Sequence, residues 1–90
     1  MSDDKKIVIP IVVIERAHES YEIYSPDFDL SVYGDNYIEA ITSATFKISA
    51  IYYYNAERNS FYKLKCTYND ADAIASKKRN AFATYTTLVP

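Results

Sequence analysis

Glycine, cysteine, histidine and methionine occur once each in this chain of 90 residues, and tryptophan does not occur at all. The lone Cys66 forms no internal disulfide. One Cys with one His supplies no CxxC or HxxxH ligand pair for a metal. A single glycine leaves no glycine-rich phosphate loop, and no cofactor is expected. Long apolar runs are missing too. The stretch Ile7–Ile14 is broken by Pro10 and falls well short of the ~20 residues a membrane span needs. A secretory leader needs a basic start and a cleavage site of small residues, and Met1-Ser2-Asp3-Asp4-Lys5-Lys6 offers neither. A cytoplasmic protein with a free thiol is the expectation.

What the chain does contain is apolar residues in globular proportion, 49% hydrophobic against 24% charged, which excludes a disordered tail. Its length suits a single domain over 1–90. So small a domain buries little more than about 60% of its unfolded surface, so a homo-oligomer is expected. The net charge of −2 is unevenly spread. Residues 1–59 hold ten acidic side chains against five basic ones, and residues 60–90 hold five basic against two acidic. An acidic body does not suit the clustered Lys and Arg that nucleic-acid backbones demand, so DNA is not an expected partner. It suits a basic protein.

Ile7–Ile14 is β-branched almost throughout and reads as a strand that is apolar on both faces. Such a strand is covered on both sides or sits at a subunit contact. Pro10 donates nothing to a ladder and belongs at an edge or bulge. Arg16–Ser20 is a polar hinge, and Tyr21–Tyr24 returns as the second arm of a hairpin that ends at Ser25-Pro26-Asp27. Phe28–Tyr33 makes a third short strand. Gly34 follows, where positive φ or a tight turn is expected. Asn36 caps the next helix and Glu39, three residues on, completes a capping box.

That helix runs from about Tyr37 to about Asn55. Tyr37, Ile38, Ile41, Ala44, Thr45, Ile48, Ile51 and Tyr52 fall at core-facing spacing. Phe46, Ala50, Tyr53 and Tyr54 form a second apolar patch on the outer side, and Lys47 is the one charge in residues 40–56. Such a patch is a self-association surface unless another part of the chain covers it. Ser60–Thr67 reads as a strand or an extended connector. Asn69-Asp70 caps a short helix over Ala71–Lys78 with basic residues at its C-terminal end, and Ala81–Val89 is a final strand. The order is β-β-β-α-β with a short extra helix. It predicts an α+β fold, a small antiparallel sheet of three to four strands with one long helix on one face.

Groups that resemble catalysts have plainer readings. His18 lies in a turn, and nothing in the spacing pairs it with Cys66 as base and nucleophile. Cys66 reads as a small buried residue. Asp27, Asp29 and Asp35 near a sheet edge suit Mg²⁺ and phosphoryl chemistry, but each also fits turn or helix-start chemistry. Tyrosines on a sheet face stack bases in single-strand RNA binders. With Lys63, Lys65, Lys77, Lys78 and Arg79 as the basic component, RNA is the alternative partner. The same rings supply amphipathic contact area for a protein.

From Ile7 to about Tyr54 the chain resembles the HicB family of antitoxins and its stand-alone relatives. The resemblance rests on an apolar first strand and a hairpin, then Pro26-Asp27-Phe28, Gly34-Asp35-Asn36 and Glu39-Ala40-Ile41 in that order. Pro26, Gly34, Asn36 and Glu39 are the structural markers of the pattern. There are departures. Asp29-Leu30-Ser31 stands where the family often has Pro-Gly-Cys, and Asn36 stands where it often has Thr. Only five residues follow Tyr85, so the family's C-terminal DNA-binding domain is not expected here. The resemblance implies a partial RNase H-like layer and a non-enzymatic role: binding a small basic mRNA-cleaving toxin of the HicA type and masking it. The partner-facing set is then Tyr21, Tyr24, Asp27, Phe28, Asp29 and Tyr33.

Overall fold

The computed structural model describes residues 6–89. Strands β1 (Val8–Glu15), β2 (Tyr21–Ser25) and β3 (Leu30–Gly34) precede the long helix α1 (Tyr37–Arg58), the short helix α2 (Tyr68–Ala75) and strand β4 (Ala81–Thr87). The sheet order is β3-β2-β1-β4 and every pair is antiparallel. The α+β fold and the β-β-β-α-β order are those expected from the sequence. No helix of the described residues is long and apolar enough to cross a membrane.

The two apolar faces of β1 are both covered by the chain itself. Ile9, Ile11 and Val13 join Ile23, Val32, Leu88 and the helix line Ala40, Ala44 and Ile48 in one buried cluster under α1. Val12 and Ile14 point the other way and meet Ala71, Ala75 and Ala83 under α2. The short helix therefore makes a third layer, where the sequence suggested one helix on one face. Ile9, Ile11, Ile23 and Ile48 have at most 1% of their surface exposed, and burial of each such side chain stabilises by about 1.5–3 kcal/mol.

Pro10 sits where a strand tolerates it. The bonds from Leu88 N–H to Ile7 O and from Glu15 N–H to Asn80 O show that odd-numbered residues of β1 face β4. Even-numbered ones face β2, whose pairing with β1 begins only at Val12. The missing N–H of Pro10 thus points past the end of β2 and breaks no ladder bond.

The β1–β2 connection is a 3-10 turn over Ala17–Glu19, with His18 and Glu19 in the left-handed region at φ 59° and 64°. Gly34 is a correction: its φ is not left-handed. Glycine is needed for space. A Cβ there would lie 2.5 Å from Ala40 N, 2.7 Å from its Cα and 2.9 Å from its Cβ. The end of β3 is pressed against the first turn of α1.

Asn36 Oδ1 accepts from Glu39 N–H at 2.9 Å, as an N-cap does. The return bond differs from the expected box, because Glu39 Oε1 accepts from Asp35 N–H, at 2.6 Å, one residue before the cap. Ile38, placed in the core stripe by its spacing, is 73% exposed. The buried line runs through Ala40, Ala44 and Ile48, which leaves Ile38 on the flank of the first turn. Residues 59–66 contain no strand. They form a connector tied down when Asp27 Oδ1 accepts from Lys65 N–H (2.6 Å) and Cys66 N–H (3.1 Å). The second helix starts earlier than expected. Thr67 and Asp70 form its capping box and Ala75 is its last residue, so Lys77, Lys78 and Arg79 lie in the turn beyond it.

Candidate interaction site

One end of the sheet gathers acidic and aromatic groups. Glu15 closes β1, Glu19 lies in the 3-10 turn, Tyr21 opens β2, and Asn36, Tyr37 and Ile38 start α1. These six residues line a single shallow hollow. The Tyr21 and Tyr37 rings meet edge to face, 5.5 Å between centroids, so they brace one another and leave part of each ring open. Beside it, Ser20, Tyr33, Gly34, Asp35, Glu39 and Ser43 line a second hollow. The two share a border, because Tyr21 pairs with Gly34 across β2 and β3. Local chemistry dictates the arrangement: the polar hinge turns the chain at Ala17–Glu19, and the close approach at Gly34 brings the start of α1 alongside.

The surface is acidic with apolar anchors. Glu15 and Glu19 are exposed, and Ile38 is 73% exposed beside Tyr21 and Tyr37. The nearest base in the chain, Arg16, is drawn to the other face of the sheet. Its Nε donates to Glu22 Oε1 at 3.0 Å and its terminal nitrogen bonds the same oxygen. Ser31 Oγ donates to Glu22 Oε2 at 2.9 Å. Burial alone would raise the Glu22 carboxyl, and these bonds more than offset that, holding it below its ordinary value of 4.5. Arg16 stays half exposed while paired with Glu22, and among the described residues no salt bridge reaches Glu15 or Glu19 at the sheet end.

The expected partner-facing residues divide among three places. Tyr21 belongs to the acidic end, whereas Tyr33 pairs with Glu22 in register and stands on the opposite face at the β3 edge. Tyr24, Asp27, Phe28 and Asp29 lie around the β2–β3 turn at the far end of the hairpin. There Asp29 takes φ 50°, and its Oδ1 accepts from the Tyr24 hydroxyl at 2.9 Å, which raises that phenol above its usual range. Asp27 holds the connector, and Phe28 packs on the core. Strand β3 separates Asp35 from Asp27 and Asp29, so the three carboxylates do not converge. Among the described residues no group of three His, Cys, Asp or Glu side chains is placed to hold a metal ion.

The basic residues are divided as well. Lys63 and Lys65 precede α2, whereas Lys77, Lys78 and Arg79 follow it. Lys78 turns toward Glu22, lining a cleft with Ile14, Tyr24, Ser31 and Ile74. On α1, Phe46, Ala50 and Tyr53 line one hollow with Ser49, Glu57 and Val89. Tyr54 lies apart, under the Arg58 guanidinium at 4.3 Å. Cys66 is half-buried, and burial pushes its thiol up.

Two groups of the acidic end were not singled out from the sequence. Glu15 and Glu19 read as ordinary solvated charges. Only the three-dimensional meeting of turn, β2 and α1 sets them beside Tyr21, Tyr37 and the exposed Ile38. Comparison with protein-family models, with curated proteins and with solved structures finds no match.

Proposed function

We propose that this chain is a HicB-like antitoxin, a binding module that covers a small basic RNA-cleaving protein of the HicA type by protein–protein contact. The observation that carries the reading is the acidic, aromatic-lined end of the sheet. Glu15 and Glu19 there flank Tyr21, Tyr37 and Ile38. Basic side chains of a partner meet the carboxylates, and Ile38 and the tyrosine rings give apolar area at the centre of the contact. Covering an RNA-binding surface with carboxylates displaces the phosphates that the toxin's own bases attract.

The test is inhibition. A HicA-type ribonuclease encoded by an adjoining gene is incubated with RNA and increasing amounts of this protein. Cleavage should stop near equimolar ratio, and the inhibition should weaken with salt. The double substitution Glu15→Lys/Glu19→Lys should raise the amount needed at least tenfold. Unchanged cleavage in the presence of excess wild-type protein overturns the proposal. A salt-sensitive gel shift of RNA by this protein alone, lost on changing Lys77, Lys78 and Arg79 to Ala, replaces it with direct RNA binding.

A further inference from the structure

We infer that the free edge of β4 is a self-pairing surface, on which a second copy of this chain adds its own β4 antiparallel to form one continuous sheet. Strand β4 is the last in the order β3-β2-β1-β4, and among the described residues no strand pairs with its outer edge. Sheet edges are ordinarily blunted by charge, proline or bulges. Ala81-Phe82-Ala83-Thr84-Tyr85-Thr86-Thr87 has no charge, no proline and no glycine, and its register with β1 is unbroken from Val8↔Thr87 to Ile14↔Ala81.

The register fixes how a second copy docks. Even-numbered residues of β4 bond to β1, as Leu88 N–H to Ile7 O shows, so Ala81, Ala83, Tyr85 and Thr87 turn their N–H and C=O outward. The Tyr68 hydroxyl reaches Ala83 O at 3.4 Å, a long bond that leaves the oxygen's second lone pair free. A two-fold axis at Thr84 is the one that pairs every outward residue with another: Ala81 with Thr87 and Ala83 with Tyr85. The axis stands normal to the sheet and keeps both α1 helices on one side and both α2 helices on the other.

Side chains fit under the same operation. Ala83 of one copy faces Tyr85 of the other, small against large. Phe82, 51% exposed on the α1 side, comes opposite Thr86 of the second copy. Thr86 is bonded to Thr45 on α1, next to Phe46, which is 62% exposed. Phe82 of each copy is thus delivered toward Phe46 of the other, and two exposed phenylalanines per copy lose water together. An unrelated peptide has no charge on this edge to recognise, whereas a second copy brings the matching large and small residues. This surface is separate from the acidic end and does not depend on the proposed toxin.

Light scattering on the wild type at micromolar concentration should give twice the chain mass of 10.3 kDa. Thr84 meets its own copy on the axis, and a lysine there keeps its stem on the sheet while its ammonium reaches water. Thr84→Lys and Thr84→Glu should each be monomeric, because like charges face each other. An equimolar mixture of the two should recover the dimer. Hydrogen exchange on the wild type reads the same surface without substitution. The amides of Ala81, Ala83, Tyr85 and Thr87 should be as protected as those of Phe82, Thr84 and Thr86. A monomeric wild type overturns the inference, as do fast outward amides beside slow inward ones, or a folded dimeric Thr84→Lys.

Discussion

Replacing Gly34 with alanine tests whether the junction of β3 and α1 is as close as described. An alanine in a strand, at a φ an L-residue tolerates, usually stabilises by about 0.4–1 kcal/mol through the unfolded chain. Here the new methyl would fall 2.5 Å from Ala40 N and 2.7 Å from Ala40 Cα. Both are backbone atoms of a capped first turn and have no rotamer to change. Forcing an extra methyl into a packed site costs about 1–3 kcal/mol, so after the entropic gain is deducted the net effect is a destabilisation centred on roughly 1.3 kcal/mol and reaching about 2.6 kcal/mol. For a domain of this size that lowers Tm by about 4–8 °C per kcal/mol. Thermal and urea melts followed by circular dichroism read it directly. A second arm locates the clash. Adding Ala40→Gly removes only the third contact, the Cβ at 2.9 Å, and should not restore stability. A Gly34→Ala protein as stable as the wild type, or full rescue by Ala40→Gly, refutes the reasoning.

Other expectations concern the core, the caps and the buried carboxylate. Ile48→Ala, at a side chain 1% exposed beneath α1, should cost about 2–5 kcal/mol in urea unfolding with an unchanged m value. Asn36→Ala removes the cap of α1 and should cost about 1 kcal/mol, read in the same melts. Asp27→Ala releases the connector. The amides of Lys65 and Cys66 should lose protection from exchange while those of β1 keep theirs, with a stability loss of about 1–3 kcal/mol. Glu22 is held below 4.5 by Arg16 and Ser31. Its contribution is therefore complete above that pH and is lost as the pH falls through its folded value. Urea melts in steps from neutral pH into the acid range should show a steeper loss in the wild type than in Glu22→Gln. Equal slopes would mean that the carboxylate is not held as described.

The elements legible in the sequence are those whose signal is local. The β-branched run of β1, the cap at Asn36 and the pair Ala44 and Ile48 announce a strand, a helix start and part of a helix face by spacing alone, whereas Ala40, buried on the same line, was left out of the expected stripe. Covering for both faces of β1 was also legible, because nothing polar alternates along it. What covers the second face was not, since Tyr68–Ala75 is short and its buried residues are two alanines, which leave little periodicity. Gly34 was legible as a special position with the wrong reason, because a close approach by Ala40 leaves no local trace. Ile38 was misplaced because spacing gives a phase for the helix but not the point at which the sheet beneath it ends. The ties from Asp27 to residues 65 and 66 span the fold and become visible only when it is closed, and the pair of Arg16 with Glu22 becomes visible only once the β1–β2 hairpin sets its register. The same holds for the acidic end, which is assembled from the hinge, β2 and the first turn of α1.

The most direct test of the functional account is the titration of RNA cleavage by a HicA-type ribonuclease from an adjoining gene. The account predicts that the wild-type protein abolishes cleavage near equimolar ratio, and that the Glu15→Lys/Glu19→Lys protein, folded by circular dichroism, needs at least tenfold more. Cleavage that continues unchanged with wild-type protein in excess, or a charge-reversed protein that inhibits as well as the wild type, contradicts it.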